Sequence, residues 1–246
     1  MSEHTSTLDL QSRWSNSLMD NYGVPRIALV RGAGAVVTDA DGKDYLDLLA
    51  GIAVNILGHA HPAVIEAVTT QLGTLGHTSN LYATEPGIEL AEQLLAHLGA
   101  SVHGRVFLCN SGTEANEAAF KIARLTGRPK IIAAEKAFHG RTMAMAEMTD
   151  KPAFRDGMPL RGNVLQVPFY NPADPESTKK SVDALDAHLR RYPGQIACMC
   201  FELVQGEGGF NTAPREFFVA LMERCKQAKI AVWADEVQTF ARTGEL

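Results

Sequence analysis

The sequence has no basic excess. Its 23 lysines and arginines are outnumbered by 28 aspartates and glutamates, a formal net charge of −5 over 246 residues. An acidic chain without a basic face lacks what nonspecific nucleic-acid binding needs. No block of like charge marks an interaction tail. No apolar run approaches the roughly 18 residues that a membrane-spanning helix requires. Met1 to Leu10 are polar, without a basic stretch leading into an apolar one, so they do not read as a secretory signal. These absences lead us to expect a soluble, cytosolic protein with no nucleic-acid or membrane partner.

Cysteine is sparse as well: Cys109, Cys198, Cys200 and Cys225. A lone C-x-C at Cys198 and Cys200 has too few ligands for a metal site. It reads instead as two small apolar residues on one side of a buried strand, and no metal centre is expected.

What is present is apolar. Hydrophobic residues make up 46% of the chain, enough for one large domain or two smaller ones. We find no repeat and no low-complexity segment. Pro62 opens a helix with Val64, Val68, Leu72 and Leu75 on one face. A second helix follows Thr84-Glu85-Pro86, with the stripe Ile88, Ala91, Leu95 and Leu98. Short apolar runs then recur at Val106–Cys109, Lys130–Ala134, Val164–Val167, Ile196–Phe201 and Ile230–Ala234. Several are apolar on successive residues, as strands covered on both faces are. Helical stripes separate them: Val182, Leu185 and Leu189, then Phe217, Leu221, Cys225 and Ala228. This alternation predicts an α/β domain with a largely parallel sheet. The first 60 residues differ. Ala35–Thr38 and Tyr45–Leu48 flank the turn pair Asp41-Gly42, which predicts a small hairpin outside the main sheet. Asn171 to Pro175 reads as a surface loop.

Three local patterns carry chemistry. The first is Asn110-Ser-Gly-Thr-Glu-Ala-Asn-Glu117, between a predicted strand and a helix with Ala115, Ala118, Ala119, Ile122 and Ala123 on one face. Free amides and the helix dipole favour a phosphate at such a start. Ser111 or Thr113 capping the helix explains the same residues equally well. The second is Asp235, at the carboxyl end of the strand ending at Ala234, where open α/β sheets bind ligands. An aspartate there can keep a cofactor's ring nitrogen protonated, and it can also be an ordinary loop or capping carboxylate. The third is Phe138-His139-Gly140-Arg141. The aromatic can stack on a planar ring and the arginine can grip a carboxylate with two hydrogen bonds. Core packing and a surface ion pair are the plainer alternatives.

Taken in order with Gly51-Ile-Ala-Val-Asn55, Gly58-His-Ala-His-Pro62 and Glu202-Leu-Val-Gln-Gly-Glu-Gly-Gly209, these stretches resemble the class III aminotransferases of pyridoxal-phosphate fold type I. Within that family the pattern is most similar to the enzymes that act on N2-acetylornithine in arginine biosynthesis. The resemblance runs from about Asn21 to Gly244. It implies residues 1–61 as the N-terminal part of a small domain and 62–246 as a truncated cofactor-binding large domain. Gly112 and Thr113 would bind the phosphate of pyridoxal 5′-phosphate. Phe138 would stack on one face of its ring and Val237 pack on the other. Asp235 would pair with the ring nitrogen and Gln238 sit near the ring hydroxyl. Arg141 would hold the donor's α-carboxylate. Glu207 would pair with a later arginine, releasing it for 2-oxoglutarate. The products would be N-acetylglutamate 5-semialdehyde and glutamate, and the enzyme a cytoplasmic homodimer when full length. Ornithine, succinyldiaminopimelate and 4-aminobutyrate are alternative donors.

There are departures from the family pattern. Leu203 stands where proline is usual, and Phe240-Ala241 where small residues are usual. No lysine follows Asp235. The resemblance puts the Schiff-base lysine a few dozen residues further on, with the last strands of the sheet. These 246 residues alone are therefore expected not to transaminate. A non-catalytic cofactor-binding or interaction fragment is the reading from a different class.

Overall fold

A computed structural model describes residues 5–99 and 103–244, and the chain divides into two compact units between Ile88 and Glu89.

The first unit begins with α1 (Thr7–Ser17), capped by the Ser6 hydroxyl, which accepts from the Asp9 amide at 3.2 Å. β1 (Leu29–Ala33), β2 (Val36–Asp39) and β3 (Asp44–Leu46) form an antiparallel meander in that order. The β2–β3 hairpin is the expected one. Gly42 takes the left-handed conformation in its turn, at φ +86°. Asp39 fixes the turn chemically: its carboxylate accepts from the Asp41 and Lys43 amides and from the Tyr45 hydroxyl at 2.7 Å. The Lys43 amide, then the Tyr45 hydroxyl, hold its pKa below the usual carboxylate value. A one-turn element, α2 (Ala50–Ala53), follows, and then α3 (Pro62–Thr74) with proline in its first turn. Helix α3 forms where the sequence predicts it, although Val64, Val68 and Leu72 remain exposed. The second predicted helix, α4 (Glu85–His97), contains the point of division at Ile88 and Glu89.

The second unit is a three-layer α/β sandwich. Its elements are α5 (Gly112–Arg124), β4 (Lys130–Ala134), α6 (Met143–Met148), a 3-10 turn at Pro152–Phe154, β5 (Val164–Val167), α7 (Ser177–Arg191), β6 (Ile196–Glu202), the ribbon β7 (Val204–Gln205) and β8 (Asn211–Thr212), α8 (Arg215–Gln227) and β9 (Ala231–Asp235). The main sheet has the order β5-β4-β6-β9, and every pair is parallel. Side chains alternate across it. On one face Ile132, Ala134, Val167, Met199 and Phe201 pack against Leu185 of α7 and Phe217, Leu221 and Cys225 of α8. On the other, Ile131, Ala133, Cys198 and Cys200 pack against Met145 and Met148 of α6, with Phe120 and Ala123 of α5. β6 is buried at all seven positions, so its thiols are core packing, as the sequence suggested. Each large apolar side chain buried this way contributes about 1.5–3 kcal/mol.

Two expectations are corrected here. Val106–Cys109 forms no strand: Phe107 and Leu108 are exposed, and no described strand pairs with them. An apolar run becomes a strand only when a neighbour takes its backbone hydrogen bonds. Helix α5 does form, but of the predicted stripe Ala123 alone packs on the described core cluster. Asn116 is the buried residue, flanked at helical spacing by Phe120 and Ala123, while Ile122 is 65% exposed. A polar residue at 116 hides this face from a pattern built on apolar side chains. The reason it is inside lies at the site.

Candidate active site

Charge gathers at the carboxyl ends of the strands. β4 runs into Phe138 and His139, β6 ends on Glu202, and β9 ends on Asp235. From β4 the chain goes first to β5 on one side, then to β6 and β9 on the other. Ligands of open parallel sheets bind in the crevice where strand order reverses in this way.

Asp235 is 7% exposed. Its Oδ2 accepts from Asn116 Nδ2 at 2.8 Å and faces His139 Nδ1 at 2.8 Å. Its Oδ1 accepts from the Val237 amide at 3.1 Å. Burial pushes its pKa up. The hydrogen bond and charge of His139, then Asn116 and the Val237 amide, outweigh burial and hold it below the usual carboxylate range. Asn116 is itself fully engaged: it also donates to the His139 carbonyl at 3.0 Å and accepts from Trp233 Nε1 at 3.2 Å. The His139 amide donates to Thr149 Oγ1, and that hydroxyl donates to the Gly140 carbonyl at 2.9 Å. The result is an anionic acceptor, fixed in place, at the end of a strand.

The start of α5 lies beside it. Ser111 is the N-cap, its hydroxyl accepting from the Glu114 amide at 3.2 Å, and Glu114 reaches back to the Asn110 amide at 2.6 Å. The capping reading of the serine is therefore correct. Capping still leaves the Gly112 and Thr113 amides without an acceptor inside the helix, as helix geometry requires. Close approaches join this turn to the other predicted residues. A Cβ on Gly112 would lie 2.5 Å from Val237 Cγ2, one on Gly140 would lie 2.5 Å from Thr113 Oγ1, and one on Gly206 would lie 3.1 Å from Gln238 Cγ. Gly140 also sits at φ +132°. We therefore expect Gly140→Ala to destabilise the protein by about 1–3 kcal/mol and to displace Thr113. Thermal unfolding checks this, and an unchanged midpoint refutes it.

Phe138 and Phe154 meet edge to face, with centroids 5.9 Å apart. The Arg141 guanidinium lies 5.4 Å from the first ring and 4.7 Å from the second. Lys151 Nζ lies 5.8 and 5.6 Å from the same rings. Glu207, in the β7–β8 turn, pairs with Lys151 at 2.7 Å. The sequence reading gave Glu207 a later arginine as its partner; here it pairs with Lys151, to which that reading gave no role. It also assigned no role to Asn116, His139 or Glu202. All three lie inside the family motifs, and the first two become legible only once Asp235 is seen to need donors. Glu202 had a usable signal, since it ends its strand just as Asp235 does.

A family model of class-III aminotransferases matches residues 18–246. The chain belongs to the class III aminotransferases. The acetylornithine aminotransferase of Mycolicibacterium smegmatis is 55% identical over 239 residues, which cover 96% of this chain and 57% of that protein. The Mycobacterium leprae acetylornithine aminotransferase is 51% identical over 242 residues, covering 98% and 57%. Among solved structures, taurine:2-oxoglutarate aminotransferase from Bifidobacterium kashiwanohense, in complex with pyridoxal phosphate and glutamate, matches with TM-score 0.89 at 26% identity. That match covers 100% of this chain and 58% of the other. The ornithine aminotransferase from Toxoplasma gondii matches with TM-score 0.80 at 25% identity, over 97% and 55%. The chain thus spans about 57% of the length of the curated relatives it matches.

Class III aminotransferases depend on pyridoxal 5′-phosphate. The residues here fit that group. The free amides at the α5 N-terminus suit a phosphate dianion, and the buried, paired Asp235 suits a ring nitrogen that must stay protonated.

Proposed function

We propose that this site binds pyridoxal 5′-phosphate and serves the transfer of an amino group from N2-acetylornithine to 2-oxoglutarate. The products are N-acetylglutamate 5-semialdehyde and glutamate, within arginine biosynthesis. One observation carries the cofactor half: a buried carboxylate held ionised by three donors lies at the end of β9, and Val237 two residues on packs against the α5 N-terminus. Relatives 46–55% identical that bear the acetylornithine name support the donor. On this reading residues 1–61 are part of a small domain, and the protein works as a cytoplasmic homodimer.

Bound pyridoxal phosphate supplies an electron-withdrawing ring that takes up the electron pair left when the donor carbon loses its proton. The chain's residues do the holding. The Gly112 and Thr113 amides, with the Thr113 hydroxyl, would hold the phosphate at the positive end of α5. Asp235 would keep the ring nitrogen protonated, Phe138 and Val237 would bound the ring's two faces, and Gln238 would serve the ring hydroxyl. Arg141 receives the donor's α-carboxylate, remote from the reacting amine.

Phosphate competition tests the cofactor assignment. Inorganic phosphate should compete with pyridoxal phosphate for the protein, and Thr113→Val should weaken cofactor affinity by about tenfold, the loss of one charge-assisted hydrogen bond. If phosphate does not compete and Thr113→Val binds as tightly as the parent, the α5 start is only a capped helix.

A further inference from the structure

Two acids end neighbouring strands of this site. Glu202 and Asp235 are in register across the parallel β6–β9 pair, and they are 4% and 7% exposed. Two ionised carboxylates cannot be tolerated together at such depth without ample compensation. Their partners divide them sharply. Asp235 has Asn116, His139 and the Val237 amide. The described partner of the Glu202 carboxyl is a single neutral donor, the Phe138 amide at 3.1 Å on Oε2. The charged groups that face Glu202 are Asp235 from β9, Glu207 from the β7–β8 turn, and Lys151, whose ammonium is already paired with Glu207.

We propose that Glu202 is a positioning residue that works as an un-ionised carboxylic acid: it anchors the main chain at Phe138 while leaving Asp235 the sole buried negative charge at the strand ends. The proposal rests on the aminotransferase reading only in that Phe138 is taken to face the cofactor ring. A neutral acid is what this location selects. It accepts the Phe138 amide as a carboxylate would, without a second charge that would pull the His139 and Asn116 donors away from Asp235.

The protonation state agrees with the geometry. Burial first, with Asp235 and Glu207 adding to it, pushes the Glu202 pKa up to about 8 against the opposing pull of the Phe138 amide and Lys151. The sign of the linkage follows. Between the ordinary glutamate value and about 8 the folded protein holds a proton that the unfolded chain has lost. Stability from this group is therefore full below the ordinary value and declines as pH rises toward about 8. Asp235 acts at the other end of the scale: its lowered pKa gives stability that is lost on acidification.

The test uses Glu202→Gln, which keeps an amide acceptor and cannot ionise, and Glu202→Leu, which removes the acceptor. Pyridoxal-phosphate affinity and the thermal midpoint are measured from about pH 6 to about pH 9, spanning the titration. In the parent, affinity should fall about tenfold above the titration and the midpoint should drop. In Glu202→Gln both should become flat over that range, and Glu202→Leu should be weakened throughout. Infrared difference spectra of 13C-glutamate-labelled parent protein give a reading that needs no variant. A protonated, buried carboxyl stretch should be present near neutral pH and vanish as the acid titrates. The proposal is overturned if that band is absent, if Glu202→Gln declines with pH as the parent does, or if Glu202→Leu matches the parent. Should the parent bind no pyridoxal phosphate at any pH, the cofactor assignment of this site fails, while the infrared and unfolding arms still decide the state of Glu202.

Discussion

In a chain completed with the Schiff-base lysine, replacing Asp235 with alanine is expected to lower turnover by roughly three orders of magnitude, about 4 kcal/mol of barrier, while leaving cofactor affinity within about tenfold. The asymmetry follows from position. On the proposed reading, affinity for the phosphorylated cofactor comes chiefly from the α5 start and from ring packing by Phe138 and Val237, none of which alanine at 235 removes. Turnover depends on a cationic ring, and that depends on an anion buried against the ring nitrogen. Asp235 is equipped for this: its three donors keep it charged at a depth where an unpaired carboxylate would take up a proton. Asp235→Asn separates charge from shape, since it preserves the side-chain volume but cannot hold the ring proton. Stopped-flow measurement of the donor half-reaction checks both variants, with cofactor affinity measured beside it. Near-normal rates in Asp235→Asn would show that the carboxylate is structural.

The parts of this fold that the sequence discloses share one property: their partners are close in sequence or purely apolar. The β2–β3 hairpin is written in Asp41-Gly42, and the α7 and α8 stripes are written in the spacing of Leu185, Phe217 and Leu221. β6 announces itself as a run without a polar break. Val106–Cys109 looks the same locally and forms no strand, because pairing is decided by a neighbour and not by the run itself. The α5 face fails for a different reason. Periodicity counts apolar residues, whereas the inward position goes to Asn116, whose hydrogen bonds reach 23 residues to His139 and 119 residues to Asp235. Gly112, Thr113, Phe138, Val237 and Gln238 are nameable through resemblance to a family, and the structure brings Gly112 against Val237, Gly140 against Thr113 and Gly206 against Gln238. Lys151 carried no local signal, since a lysine beside an aspartate in a loop is indistinguishable from a solvated one until Glu207 arrives 56 residues later.

In the same completed chain, Arg141→Ala is expected to reduce kcat/KM for N2-acetylornithine by about 30- to 5,000-fold, the equivalent of 2–5 kcal/mol for losing a bidentate charge contact that donor binding desolvates. The residue is exposed, yet it is not a loose surface arginine: its guanidinium lies over Phe154 and Phe138. Stacking of this kind limits the fork to few orientations, so a carboxylate meets a prepared partner. Removing the side chain also removes a ring contact, and a loss of activity alone would therefore be ambiguous. Comparing donors resolves this. An amine of similar length without the carboxylate gains nothing from the guanidinium in the parent protein and should lose little in the variant. The ratio of the two kcat/KM values is the quantity to measure, and it should collapse in Arg141→Ala. Arg141→Lys provides the second reading, because it restores the charge but not the planar fork, and its ratio should fall between the other two. If both donors decline equally in Arg141→Ala, the arginine serves only to seat the two phenylalanines, and the α-carboxylate must be recognised elsewhere.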